Sequence, residues 1–137
     1  KDSPTLAALL IQEIHGRYPK QVKCVSLTEA ELIKYYSNVF NALRVTWANG
    51  FYDICQKMGA NYDKIKDAVI SRGTINDLYL DCNENMRGFS GPCLPKESKA
   101  LMALSEELGV GAKIFRTIVE DNNLYKKTVW EGMRADE

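Results

Sequence analysis

The chain has 137 residues, enough for one domain with a hydrophobic core, and its apolar fraction of 45% is ordinary for a globular protein. Its 18 basic and 18 acidic residues cancel, so no overall positive field favours nucleic acid or a polybasic contact with a membrane surface. No apolar stretch approaches the length of a membrane span, and no signal peptide is visible after Lys1. We therefore expect no nucleic-acid partner and no membrane partner.

The cysteines predict neither a metal site nor a disulfide framework. No two of them have C-x-x-C spacing, and the single histidine, His15, does not complete a zinc set. A chain of this size can build a core without disulfides, so we predict reduced thiols and a cytoplasmic location. The four cysteines are Cys24, Cys55, Cys82 and Cys93.

The first 27 residues are predicted to hold one helix and one short strand. Ser3 is a plausible helix cap before Pro4, apolar residues follow at helical spacing, and Gly16 is a stop. The alternating segment Gln21–Leu27 favours a strand, which has no partner nearby. We therefore expect residues 1–27 to be the tail of a larger α/β unit whose earlier part is absent, and residues 28–137 to be a separate domain.

The strongest predicted element is a long helix. Thr28 and Glu31 fit the S/T-x-x-E capping box, and Gly59 is placed to end the helix after Met58. A heptad-like seam of large apolar residues predicts a core spine, a subunit interface, or both. The seam consists of Leu32, Tyr36, Phe40, Leu43, Trp47, Phe51, Ile54 and Met58.

A polar row lies on roughly the opposite side of this helix. Lys34 and Asn38 are four residues apart, so their side chains stack on one face. A cation and an amide one turn apart can donate together to a developing oxyanion. The alternative is an ordinary solvated helix face.

The rest of the chain predicts further helices around one irregular segment, and the fold class is mainly α. Helices are expected at 62–71, from Pro95 to Leu108, and from Ala112 to about Met133, while residues 72–92 lack periodicity. Asn122 and Asn123 fall inside the last helix without an evident purpose. Gly109-Val110-Gly111 follows a helix and lacks a third glycine, so it does not indicate a dinucleotide loop.

The segment Gly88–Glu97 delivers one cysteine to a helix start. Pro95 fits the first helical position, so Cys93 lies just ahead of a positive helix end with Lys96 three residues on, and both features favour thiolate over thiol. Gly88 and Gly91 allow the backbone to come close to a ligand. The alternative is a small buried cysteine next to a simple turn.

Two of these stretches together resemble one family. Glu29–Phe40 is similar to the start of the central helix of the UDP-glucose/GDP-mannose dehydrogenase family. Gly88–Glu97 resembles that family's nucleophile loop, and the order and separation of the two stretches agree. The resemblance covers roughly residues 27–132, with residues 4–27 resembling the end of the family's NAD-binding domain. It implies a helical central dimerisation domain built on one long helix.

The resemblance also implies a reaction. These enzymes use two NAD to oxidise the C6 hydroxymethyl group of a nucleotide sugar to a carboxylate, through a cysteine thiohemiacetal and a thioester. Cys93 would be the nucleophile, Lys34 and Asn38 would stabilise oxyanions and position water, and Glu97 stands at the position of a catalytic acid. Substrate contacts are expected at Gly88, Phe89, Ser90, Gly91 and Lys96. NAD would be bound by the absent N-terminal domain, and a homodimer would form through helix 29–58.

This sequence departs from the family pattern at three positions. Glu97 replaces the usual aspartate, Pro92 makes the loop stiffer, and Gly50 stands where glutamate is common. Such changes leave open a catalytically silent dimerisation module derived from the family. They also leave open which nucleotide sugar is used, whether UDP-glucose, GDP-mannose or a UDP-N-acetylhexosamine. We expect a fragment that does not turn over alone.

Overall fold

The computed structural model describes residues 5–16 and 21–125, which form five helices and, within those residues, no β-strand. The mainly α fold class is thereby confirmed. The chain divides after Lys34 into two compact units, the second of which contains most of the long helix and everything that follows. The helices are α1 (Leu6–His15), α2 (Leu27–Met58), α3 (Tyr62–Ile70), α4 (Leu94–Glu107) and α5 (Ile114–Asn122).

The first unit contains α1 and the start of α2. The side chain of Thr5 caps α1 by accepting a hydrogen bond of 3.3 Å from the Ala8 N–H, while the predicted cap Ser3 lies outside the described residues. Gly16 ends α1 with a positive φ of 60°, as predicted. The strand expected at Gln21–Leu27 does not form, because residues 21–26 have no pairing partner in the described part of the chain and Leu27 already opens α2.

The N-terminus of α2 is capped two residues earlier than the sequence pattern suggested. Ser26 donates from its backbone N–H and its hydroxyl to Glu29 Oε2, each at 2.7 Å, and the Glu29 N–H donates back to Ser26 Oγ at 3.2 Å. These bonds, the backbone one first, lower the pKa of the Glu29 carboxyl. The capping box is therefore Ser26/Glu29 and not Thr28/Glu31; both pairs fit the motif. Gly59, with a φ of 67°, follows Met58 as predicted.

The second unit buries the face of α2 that carries small residues. Val39, Ala42 and Val45 pack with Phe89 and Ile118 in one core cluster, which also receives Leu94 and Leu101 of α4. Further along α2, a second cluster holds the next two turns against α3 and the irregular segment. The second cluster consists of Ala48, Tyr52, Cys55, Tyr62 and Cys82.

Leu43 and Phe51 of the seam pack against these cores, but most of its large apolar residues are exposed. We call five of them the outer face: Tyr36, Phe40, Trp47, Ile54 and Met58. They are between 49% and 77% exposed. Of the two predicted alternatives, a core spine within the chain does not apply to these five residues, because α2 buries its opposite side, which carries Val39, Ala42, Val45 and Ala48. The alternative of a subunit interface stays a prediction.

A groove of 680 Å³ adjoins the outer face. Phe40, Trp47 and Phe51 of α2 line it on one side, Ile65 of α3 on another, and residues 74–76 and 80 supply the remainder. Arg44 and Lys66 stand at its edge, where Arg44 donates to the Asn76 carbonyl and Lys66 pairs with Asp77 and Asp81.

The irregular segment between α3 and α4 is held by polar contacts. The Tyr62 hydroxyl donates to the Leu80 carbonyl at 2.7 Å, and burial raises the pKa of Tyr62 to about 12. An isolated antiparallel bridge joins Asn83 and Met86.

Of the described helices, none combines the length and the apolar character needed to cross a lipid bilayer.

The last helix is shorter than predicted. It ends at Asn122, and residues 123–124 form a turn. The predicted end near Met133 lies outside the described residues. Asparagine is a poor helix former, so the pair Asn122-Asn123 coincides with the helix end.

Candidate active site

Cys93 occupies the N-cap position of α4 and is exposed. Leu94 is the first helical residue and Pro95 the second, one place later than predicted. Gly88 and Gly91 have φ of 64° and 81°, in the left-handed region that favours glycine. The alternative of a small buried cysteine is therefore excluded.

A short bridge of backbone presents the thiol. The ring of Phe89 is only 4% exposed and lies in the first core cluster, and Leu94 packs against the same cluster. Residues 90–93 therefore run between two points anchored in one core. The thiol is exposed, but both ends of its loop are held by packing.

Asn122, at the end of α5, holds the same loop by its backbone. Its Oδ1 accepts a hydrogen bond of 2.7 Å from the Phe89 N–H, and its Nδ2 donates to the Phe89 carbonyl at 2.9 Å. No role for Asn122 was predicted from the sequence. The indication available in the sequence is spacing, since Asn122 lies one turn after the apolar residue Ile118. In the structure Ile118 is buried in the first core cluster, so both residues belong to the inward face of α5.

Asn49 of α2 holds the preceding part of the loop. Its Oδ1 accepts from the Gly88 N–H at 3.1 Å and from Arg87 Nε at 2.6 Å, while its Nδ2 donates to the Val45 carbonyl at 2.8 Å. Asn49 is 1% exposed, so these hydrogen bonds satisfy a polar side chain that is buried in the core. No function was predicted for Asn49 from the sequence.

Arg87 anchors the start of the loop through its side chain. Its guanidinium lies 5.0 Å from the ring centroid of Tyr52 and 4.6 Å from that of Tyr125, and it forms an ion pair of 2.7 Å with Asp53. Cation–π contacts of this kind add to the ion pair when the cation is partly desolvated. Arg87 is a further residue that sequence reasoning missed.

Glu97 lies one helical turn after Cys93 and is only 2% exposed. Its backbone N–H donates to the Cys93 carbonyl at 2.9 Å, and its Oε1 lies 3.1 Å from the Nζ of Lys96. The hydrogen bond to Glu97 raises the pKa of the exposed Lys96 ammonium. A carboxylate and a cation thus stand together in the first turn of the helix that Cys93 caps.

The remaining predicted site residues have separate positions. Asn38 is half-buried on α2, next to Val39 of the first core cluster; Ser90 and Gly91 are half-buried in the bridge. Lys34 is an exposed residue of the first unit, one turn before Asn38 on α2. The second unit therefore brings together the loop, Cys93, Lys96 and Glu97.

The described residues do not suggest a cofactor or metal site. Within residues 5–16 and 21–125, no group of three or more His, Cys, Asp or Glu side chains could hold a metal ion. The Gly109-Val110-Gly111 segment follows α4 and not a strand, which does not fit a dinucleotide loop. We assign no NAD contact to the described residues.

Most of the chain is similar to one family of known proteins. Residues 28–124 match the central domain of the UDP-glucose/GDP-mannose dehydrogenase family. The chain is 32% identical over 116 residues, 85% of its length, to UDP-glucose 6-dehydrogenase TuaD of Bacillus subtilis, covering 24% of that protein. It is 34% identical over 99 residues, 72% of its length, to UDP-glucose 6-dehydrogenase of Rickettsia typhi, covering 22% of that protein.

A third relative, UDP-glucose 6-dehydrogenase of Rhizobium meliloti, is 30% identical over 100 residues, which are 73% of this chain and 22% of that protein. The chain thus spans about a quarter of the length of the curated relatives it matches. The matched region contains the whole Cys93 loop, α4 and nearly all of α2. The chain belongs to the UDP-glucose/GDP-mannose dehydrogenase family, in which it corresponds to the central domain.

Proposed function

We propose that this chain is the central domain of an NAD-dependent nucleotide-sugar 6-dehydrogenase, in which Cys93 is the nucleophile of the second oxidation. The observation that carries the proposal is an exposed thiol at the N-terminus of α4, on a loop anchored at both ends, with a buried carboxylate one turn behind it. Relatives with the name UDP-glucose 6-dehydrogenase make UDP-glucose the first substrate to test.

Cys93 would convert an aldehyde into an acid by forming and breaking one C–S bond. Its sulfur adds to the aldehyde carbon, and the carbonyl oxygen takes up a proton to give a thiohemiacetal. Loss of a hydride and a proton gives a thioester, and water then attacks the thioester carbon, which releases the carboxylic acid and restores the thiol. NAD, when bound, accepts the hydride in each of the two oxidations.

Polar groups around the thiol would stabilise the charges that develop on the sugar oxygens. In this proposal Lys34 and Asn38 donate to those oxygens and position the attacking water. Glu97, buried and adjacent to Lys96, takes part in proton transfer in place of the family's aspartate. Ser90 and Gly91, which are half-buried, contact the substrate through their backbone, whereas Gly88 and Phe89 are buried and shape the loop from within.

The proposal assigns NAD to a part of the enzyme outside the matched region. Residues 1–27 would be the tail of that NAD-binding domain, and residues 28–137 the catalytic-cysteine and dimerisation domain. The homodimer would form through helix 29–58, where the outer face of α2 is exposed. We propose a cytoplasmic enzyme and expect the 137-residue chain alone not to turn over.

The first experiment measures NADH production by the intact protein, with UDP-glucose, GDP-mannose and UDP-N-acetylglucosamine offered separately. We expect two NADH per sugar with one donor, and UDP-glucose is the expected one. No NADH from any donor, with folded protein that binds NAD, would contradict the proposal and favour a catalytically silent dimerisation module. Glu97→Asp would then test whether the departure from the family pattern is the cause.

The second experiment replaces the nucleophile. Cys93→Ser should abolish acid formation, because a serine hydroxyl is far less nucleophilic than a thiolate at neutral pH. The product is measured by chromatography of the sugar nucleotides. Cys24→Ser is the matched control, since Cys24 is also exposed and should leave acid formation unchanged. Undiminished acid formation by Cys93→Ser would rule out the assignment.

A further inference from the structure

We propose that Asn122 is a positioning residue for Cys93. Its side chain bonds both backbone groups of Phe89, the residue from which the bridge to the thiol begins. The catalytic part of this inference rests on the proposed function; the structural part does not. Asn122 acts through the loop backbone and is not assigned any contact with substrate.

The geometry gives Asn122 control over orientation as well as position. Packing of the Phe89 ring into the core fixes where the residue lies, but a ring contact leaves the peptide groups on either side free to tilt. A side-chain amide that accepts from the N–H at 2.7 Å and donates to the C=O at 2.9 Å fixes that tilt. The direction in which the chain leaves Phe89 toward Cys93 is thereby set.

The bridge that follows is short enough to transmit this orientation. Only residues 90–93 separate Phe89 from Leu94, which is again packed against the first core cluster. Gly91 holds a left-handed φ of 81°, and Pro92 has its φ restricted by the ring. A change at Phe89 therefore moves Cys93 relative to the first turn of α4.

Asn122 reaches the loop because α5 is itself fixed. Ile118, one turn earlier on α5, is buried in the same core cluster as Phe89. The helix that carries Asn122 and the residue that it bonds, Phe89, are therefore both held by the first core cluster. Asn49 restrains the preceding peptide in a similar way through the Gly88 N–H, but it also bonds Arg87 and Val45, so its removal would disturb more than the loop.

The reaction offers a readout that a purely structural role would not move. The first oxidation, from alcohol to aldehyde, does not use the thiol, whereas the second requires it. We expect Asn122→Ala to slow acid formation from the aldehyde about 100-fold, the usual effect of misplacing a reacting group by roughly 1 Å. NADH production from the alcohol should continue at one equivalent per sugar, with aldehyde accumulating.

Two variants calibrate the effect. Asn122→Asp retains an acceptor for the Phe89 N–H but loses the donor to its carbonyl, so its rate of acid formation should fall between wild type and Asn122→Ala. Asn123→Ala is the matched control, because Asn123 is the exposed neighbour at the same helix end and should leave both oxidations unchanged. Equal slowing of both oxidations by Asn122→Ala would overturn the proposal in favour of general destabilisation.

A second measurement does not depend on dehydrogenase activity. Iodoacetamide alkylation of Cys93 is compared, at pH 7 in the intact protein, with that of the exposed Cys24, which serves as an internal reference. We expect Asn122→Ala to lower the Cys93:Cys24 rate ratio about two- to fivefold, the range of a charge interaction with a helix end that is no longer aligned. Asn123→Ala should not change the ratio.

The two measurements separate failure of this inference from failure of the proposed function. A wild-type protein that makes no NADH would remove the proposed function, and the alkylation ratio would then decide the positioning role alone. An alkylation ratio in Asn122→Ala equal to that of wild type would overturn the inference, whatever the oxidation rates.

Discussion

At the scale of single residues, two asparagines hold the Cys93 loop by its backbone. An asparagine side chain has both a donor and an acceptor, so it can pair with a peptide group as another strand would. Asn122 does so with Phe89, and Asn49 accepts from the N–H of the preceding residue, Gly88. The loop therefore keeps its shape without any β-ladder in the described residues around it.

Replacing Asn49 should destabilise the second unit. In Asn49→Ala the buried Gly88 N–H and Arg87 Nε lose their acceptor, and we expect the free energy of unfolding to fall by about 2–3 kcal/mol. The measurement is the urea midpoint at constant m-value. Gln56→Ala, an exposed change on the same helix, should stay within about 0.5 kcal/mol of wild type. Similar midpoints for both variants would contradict this role of Asn49.

We expect the buried thiol of Cys82 to make the stability of the folded protein fall at alkaline pH. Burial raises the pKa of Cys82 from 9.0 to about 11, and its Sγ lies 3.6 Å from Asn49 Oδ1. As pH rises, the thiol ionises near pH 9 in the unfolded chain but only near pH 11 in the folded chain. Its contribution to the free energy of unfolding is therefore fully present below pH 9 and is lost as the pH rises from 9 to about 11. Tyr62 acts with the same sign at higher pH, between 10 and about 12.

The test is the slope of the urea midpoint against pH from 9 to about 11. Cys82→Ala should flatten this slope, whatever its effect on the midpoint at neutral pH. Cys24→Ala, which changes an exposed cysteine, should leave the slope as in wild type. An unchanged slope in Cys82→Ala would show that other groups cause the alkaline loss.

The residues of the candidate site divide by how local their contacts are. The proximity of Cys93, Lys96 and Glu97 could be predicted from the sequence, because a glycine-rich loop, a helix start and a first-turn acid are adjacent in the chain. Asn122 and Arg87 could not, since their partners lie more than thirty residues away and depend on how α2 and α5 pack. The sequence indicated only that two asparagines sit poorly inside a helix.

At the scale of elements, the bounds of α2 were predictable and its buried face was not. The predicted start and end agree with Leu27–Met58 to within a residue or two, because a capping box and a glycine mark them. The seam of large apolar residues left a core spine and a subunit interface open, and within the chain the buried residues are instead Val39, Ala42, Val45 and Ala48. Which face of a helix is buried depends on the elements that pack against it and not on hydrophobicity alone.

Gly50 and Gly59 give a prediction that separates helix propensity from helix termination. An added Cβ would meet nothing within 4 Å at either residue, but Gly50 lies inside α2 and Gly59 has a left-handed φ of 67°. Gly50→Ala should raise the free energy of unfolding by about 0.5–1 kcal/mol because alanine favours the helix. Gly59→Ala should lower it by about 1 kcal/mol or more.

Thermal unfolding of the two glycine variants, side by side, checks both signs. A melting temperature that rises for Gly50→Ala and falls for Gly59→Ala is the expected result. A fall in both would contradict the open surroundings of Gly50, and would indicate that another surface lies against that part of α2.

At the scale of the whole molecule, the exposed outer face of α2 is the surface that the proposed homodimer would bury. Two of its five large apolar residues, Phe40 and Trp47, line a groove of 680 Å³ whose other walls are mostly aromatic and aliphatic side chains. Contiguous apolar surface of this kind is typical of an interaction site. The Arg44 and Lys66 contacts at the groove edge provide the polar rim that such sites usually have.

Trp47→Arg should weaken self-association of the intact protein by about 100-fold or more, because a central tryptophan is commonly worth over 2 kcal/mol at an interface. Sedimentation velocity over a concentration series measures the effect. Leu108→Arg is the matched control: Leu108 is exposed to the same 66% as Trp47 but follows α4. Wild-type protein that stays monomeric at every concentration, or equal weakening by both variants, would contradict association through this face.

In the proposed function, the bridge from Phe89 to Leu94 would allow its substrate-facing surface to change without moving the thiol. Both of its ends belong to one core, so its span is fixed whatever it binds. An exchange at Ser90 would alter the surface offered to a sugar while the chain length and the restricted φ of Pro92 stay constant. One inserted residue adds roughly 3.5 Å of backbone and forces the loop to bow outward. A library seeking new sugar specificities should therefore vary the side chain of Ser90, keep Pro92 and never change the residue count.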